Sequence, residues 1–161
     1  MPLQIILLGG LIAGTLDLTA ACVVSWLRAG VSPERVMQSV ASGLLGAAAY
    51  TGGVTAAALG VASHYLIATL WTAVFYLASR KLRFLTEKAI VAGLLYGVVV
   101  YVFMNFVVIP LSAVPPRPAP ALSGRIIGLL VIMFCIGLPI ALIVHRFAEH
   151  GGSAQRARHA A

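Results

Sequence analysis

Apolar residues along this chain neither alternate nor recur at short intervals; they run on. Four stretches, Leu3 to Leu27, Thr55 to Ala78, Ala89 to Leu111 and Ile126 to Val144, are almost free of charge. Each reaches the roughly 20 residues that a helix rising about 1.5 Å per residue needs to cross about 30 Å of hydrocarbon. A β-barrel would show lipid-facing and lumen-facing residues in strict alternation, and these runs do not. The pattern predicts an all-α, polytopic membrane protein: a four-helix transmembrane bundle in one domain over residues 1–150. With its basic flank the last span extends to Phe147, so the spans fall at about 3–27, 55–78, 89–111 and 126–147.

The segments between the runs carry their own signals. Ser32-Pro33-Glu34-Arg35 offers a capping hydroxyl, a proline at the first helical position and an acid in the first turn, which marks a helix start. Val36, Val40 and Leu44 then recur every four residues, with Met37 and Ala41 beside them and Gln38, Ser39 and Ser42 elsewhere around the turn, predicting a short interfacial helix on the outer surface. Thr51-Gly52-Gly53 closes that excursion. Thr86-Glu87 is expected to cap the third span, which should end at Pro110. Pro115-Pro116-Arg117-Pro118-Ala119-Pro120 should be a stiff extended outer loop, since each proline removes a donor and disfavours helical backbone before it. Pro139 should kink the fourth span, and residues 151–161 read as a disordered cytoplasmic tail.

Composition strengthens the membrane reading. The chain is 61% apolar and 9% charged, whereas soluble domains run at about 45–50% and about 25%. The net charge of +7 does not point to nucleic acid, because the basic residues gather at helix ends. Arg80, Lys81, Arg83, Lys88, Arg146, Arg156 and Arg158 fall on one side, against Arg28, Arg35, Arg117 and Arg125 on the other. By the positive-inside tendency the first side is cytoplasmic, which places both termini there. The first span lacks a basic residue before its apolar run and contains Asp17, so it reads as a retained helix rather than a cleaved signal. The expected partners are the lipid bilayer and either a second copy or another membrane protein.

Small residues at spacings of three and four mark the faces on which the helices should meet, because small side chains let backbones approach closely where lipid supplies little drive to associate. Gly10 and Gly14 lie on such a stripe in the first span, Gly60 in the second, Gly93 and Gly97 in the third and Gly128 in the fourth, where Ile132, Cys135 and Pro139 continue it. Gly10 to Gly14 and Gly93 to Gly97 open corresponding spans, and Gly60 can be matched with Gly128, so the halves read as a weak parallel repeat.

Three polar residues fall on these stripes: Asp17, His64 and Asn105. At about 1.5 Å per residue they lie in one layer of the membrane. A lone Asp at that depth costs about 2.5–3.5 kcal/mol on insertion scales, so it needs a partner or a proton, and His64 is the best-placed partner. One reading is a polar clamp between the first two spans, with Asn105 completing its hydrogen bonds. The other is a proton-handling or ligand-polarising pair on the floor of an outward-facing cavity. Cys22 and Cys135 read as small core residues. No nucleotide loop, zinc motif, nucleophile elbow or pair of catalytic carboxylates appears, and the remaining histidines lie too near the edge to give a haem its opposed ligands. The sequence therefore predicts no catalytic residue, metal or cofactor. It favours a non-catalytic accessory or scaffold subunit, ahead of a small transporter or proton-handling protein using the Asp17, His64 and Asn105 layer, and then of a quinone- or lipid-binding enzyme.

Gly10-Leu11-Ile12-Ala13-Gly14, the His64 helix ending in Phe75-Tyr76, Gly93-Leu94-Leu95 and Pro110-Leu111 before the proline-rich loop resemble small bacterial inner-membrane proteins of the YagU-like kind. The likeness covers most of the chain except the tail. It implies a multi-pass protein of the bacterial inner membrane and carries over no catalytic residues.

Overall fold

The computed structural model describes residues 2–116, 118 and 120–147. Its elements are α1 (Pro2–Ala29), α2 (Pro33–Leu45), a 3-10 turn (Gly46–Tyr50), α3 (Gly53–Ser79), the single turn α4 (Phe84–Glu87), α5 (Ala89–Leu111) and α6 (Leu122–Phe147). No strand occurs among the described residues. The helices α1, α3, α5 and α6 are each long and apolar enough to span a bilayer, in the places the apolar runs predict. The proposed tail lies outside the described residues.

The bundle is built from two close helix pairs. In the first, a Cβ added at Gly10 would fall 2.7 Å from the Thr69 Cα, and one at Gly14 would fall 2.9 Å from the Tyr65 ring. In the second, a Cβ at Gly93 would fall 2.9 Å from Ala141, and one at Gly97 would fall 2.5 Å from the Met133 Cα. These contacts run in opposite directions along the partners, so α1 is antiparallel to α3 and α5 to α6. An aromatic seam joins the pairs: Trp71 meets Tyr96 and Phe103 edge to face, Phe75 meets Tyr96, and the Tyr96 hydroxyl donates to the Trp71 carbonyl at 2.6 Å. The order of partners gives an up-down-up-down bundle.

At the end where α1 begins, Ile5, Phe75, Ile140 and Val144 fill the centre. The opposite end is capped by α2 and the segment after α5, joined where the Ala113 N–H donates to the Gly43 carbonyl. Ser32 caps α2 as expected, its hydroxyl accepting from the Arg35 N–H at 3.3 Å, with Pro33 opening the helix. Gly46 ends α2 at φ 61°, a backbone conformation that side chains strongly disfavour.

Three local expectations are corrected. The buried face of α2 carries Val36 and Ala41 as expected, but also Gln38 and Ser42, while Leu44 is 64% exposed. The reason is the partner: Gly60 of α3 receives the backbone of α2 at Met37 so closely that a Cβ there would lie 2.8 Å from the Met37 carbonyl carbon, and only small or slender side chains fit beside such an approach. Gly60 thus holds α2 rather than another span. Thr86 lies within α4 and donates to the Arg83 carbonyl, and α5 starts at Ala89 with no side-chain cap. The fourth-span stripe of Gly128, Ile132, Cys135 and Pro139 does not continue across a π turn at Met133–Gly137, after which Gly137, Ile140 and Ala141 form the packed face. A Cβ at Gly128 would meet only the Tyr101 ring at an ordinary 3.5 Å, so the matching of Gly60 to Gly128 has no counterpart in packing.

Candidate functional site

Both prolines within the second helix pair follow a wide turn. In α5 the π turn Met104–Val108 is closed by the Ile109 N–H donating to the Met104 carbonyl, and Pro110 comes next. In α6 the Leu138 N–H donates to the Met133 carbonyl, and Pro139 comes next. A proline in a regular helix clashes with the carbonyl four residues back. One extra residue in the preceding turn moves that carbonyl aside, and such π bulges recur at functional sites. Here Met104, Asn105 and Val108 from one side and Ile132 and Ile136 from the other line a common cavity.

That cavity has a volume of about 770 Å³ and lies between the two helix pairs. Asp17 of α1 and His64, Ala68 and Trp71 of α3 form its other wall. Ser39, Val40 and Gly43 of α2 and prolines from Pro110 to Pro120 stand around its mouth. The cavity therefore sits at the α2 end, above the packed centre, and is largely apolar apart from its floor.

The His64 Nε2 lies 2.9 Å from the Gly14 carbonyl. A carbonyl only accepts, so Nε2 carries a proton and donates. The Asp17 Oδ2 is 3.9 Å from the same Nε2, within ion-pair range and beyond a hydrogen bond. Both side chains are mostly buried, at 13% and 18% exposure for His64 and Asp17. Gly14 makes the contact possible: without a side chain it draws α3 close enough for the His64 ring to reach its carbonyl.

Asn105 stands apart from this pair. Its amide nitrogen donates to the Tyr101 carbonyl of its own helix at 2.8 Å, and no bond joins it to Asp17 or His64. It shares their cavity without completing a clamp. Thr15 and Tyr65 provide a polar link between α1 and α3, with hydroxyls 2.9 Å apart. Trp71 is a wall of the cavity. Its position seven residues after His64, with Ala68 between at the fourth, puts all three on one helix face.

A second cleft of about 440 Å³ runs between α1 and α6, lined by Ala21, Ser25, Arg28, Gly124 and Gly128 among others, and Asp17 and Ile132 border both spaces. Cys22 and Cys135 are free thiols. Among the described residues no three of His, Cys, Asp and Glu gather in a group able to hold a metal ion.

No family model, curated protein or solved structure matches the chain. What stands of the YagU-like resemblance is its coarse part, a small polytopic helical membrane protein.

Proposed function

We propose that this protein binds a small amphiphilic solute inside the membrane, in the cavity floored by Asp17 and His64, and acts as a small transporter. The observation that carries the reading is that Asp17, His64 and Asn105, from three separate helices, all line one cavity between two tightly packed helix pairs. Apolar walls with a few polar groups are the usual composition of a small-molecule site, and an intramembrane acid bordering a cavity is a common mark of a solute or proton pathway. The accessory-subunit reading drew on small size, the absence of chemistry motifs and abundant small-residue faces. Of those faces, Gly10, Gly14, Gly60, Gly93 and Gly97 are taken up in contacts within this chain. The cluster of Arg80, Lys81, Arg83 and Lys88 at the end opposite α2 supports a bacterial inner-membrane placement with both termini cytoplasmic.

The two tryptophans make the test direct. Trp26 is exposed near the end of α1, so a Trp26→Phe protein in lipid nanodiscs reports from Trp71 alone. Hexanol, hexanoate and hexylammonium are titrated separately. A saturable change in Trp71 emission with at least one probe, abolished by Val108→Trp read through ligand-protected thermal unfolding, is the expected result. If all three give only the linear response of partition into lipid, the cavity is not a binding site.

A further inference from the structure

The hydrogen-bonding groups at the cavity floor are unequally spent, and the imbalance selects a ligand. The Nε2 donor of His64 is committed to the Gly14 carbonyl. Asn105 commits its amide nitrogen to the Tyr101 carbonyl, and among the described residues its Oδ1 accepts from no group. The Asp17 carboxyl likewise makes no hydrogen bond among them, with His64 Nε2 at 3.9 Å. The Ser39 and Ser112 hydroxyls nearer the mouth donate to the carbonyls of Val36 and Ile109. The donors still open are the indole N–H of Trp71 and the second amide hydrogen of Asn105. Acceptors therefore predominate, and one of them is an acid.

From this we infer that the cavity takes an organic cation, specifically an ammonium group carrying an apolar body. An ammonium brings several donors and no acceptor, so it complements the Asp17 carboxyl and Asn105 Oδ1, whereas a carboxylate or phosphate would face those groups with more acceptors. Its positive charge answers the acid in a low-dielectric setting, where an opposite charge is worth far more than in water. Trp71 adds an aromatic wall of the kind that attracts cations. Val100, Ile132 and Ile136 receive the apolar body. The inference rests on the proposed binding role of the same cavity and adds the charge of what is bound.

The three probes separate the two statements, provided the nanodiscs contain zwitterionic lipid so that headgroups do not concentrate the amine. Hexylammonium is expected to saturate the Trp71 response, with hexanol and hexanoate weaker by about tenfold or more, the equivalent of one favourable charge contact. Asp17→Asn should bring hexylammonium down to the level of hexanol, and Asp17→Glu should recover part of the difference. Hexanol or hexanoate binding as tightly as hexylammonium to the unmodified protein would overturn the cation assignment while leaving the cavity a binding site. So would an unchanged hexylammonium affinity in folded Asp17→Asn. Failure of all three probes to saturate removes both statements.

Discussion

His64 meets α1 twice, through the Gly14 carbonyl at 2.9 Å and the Asp17 carboxylate at 3.9 Å, and the two contacts have different consequences. The first is a made hydrogen bond of a kind that contributes about 0.5–1.5 kcal/mol net. The second leaves an acid within the membrane without a hydrogen bond among the described residues, against a cost of about 2.5–3.5 kcal/mol for Asp at the middle of a span. A structural clamp and a binding site therefore differ in sign. Asp17→Leu is expected to leave the bundle as stable as before or more stable, because removing an imperfectly paired buried charge in favour of an apolar side chain is often neutral or stabilising, while the amine response of Trp71 disappears. His64→Leu should lower stability by about 1 kcal/mol. Unfolding in mixed detergent micelles measures both, and a loss of several kcal/mol in Asp17→Leu would restore the clamp.

Among the helices, packing is decided by where a backbone can be touched. An added Cβ at Gly137 would collide with the backbone of α5 at Gly93 and Gly97, and one at Gly97 with Met133, while at Gly128 it would sit in ordinary contact with Tyr101. Overpacking a fitted interior costs about 1–3 kcal/mol and sometimes more. Gly137→Ala and Gly97→Ala should each lower the stability of the folded bundle by at least about that amount, with Gly128→Ala close to neutral. Thermal melts of the three variants in one detergent would show this order, and equal losses for all three would mean that α5 and α6 do not meet at this face. The repeated arrangement of a π turn, one residue and a proline in α5 and α6 belongs to the same scale. It turns Asn105 and Ile136 toward a shared space while keeping both helices continuous enough to span the membrane.

At the scale of the molecule, the filled centre around Phe75 and Ile140 and the open space beside Asp17 and Asn105 lie at opposite ends of the bundle. The aromatic seam of Trp71, Tyr96 and Phe103 joins the pairs, with Trp71 both packed on the filled centre and lining the open space. Antiparallel packing brings the α3–α5 connection, with Arg80, Lys81, Arg83 and Lys88, to the filled end, and the cavity mouth to the other. By the positive-inside tendency we propose that the filled end faces the cytoplasm. In intact cells a cysteine at Arg83 should be shielded from an impermeant thiol reagent and one at Ala121 should react, both positions being exposed. The reverse labelling would invert the proposed orientation and turn the cavity mouth inward.

The sequence by itself determined the spans, their helical nature and the Ser32 cap. These depend on length, composition and local backbone chemistry, which neighbouring residues settle alone. The approach of His64 to α1 was legible too, since depth and face together leave few partners for a buried acid. Only the tertiary structure decided that His64 gives its proton to a backbone carbonyl, that Asn105 turns to its own helix, and that Trp71 is a wall. It also decided that Gly60 receives α2, so that Gln38 and Ser42 are buried beside Val36 while Leu44 points outward. The packed face of α6 was hidden as well. A π turn adds one residue to the helical count, so a stripe counted at regular spacing is carried off the true interface at Met133–Gly137, and the proline that accompanies the turn signals a kink without stating how the chain absorbs it.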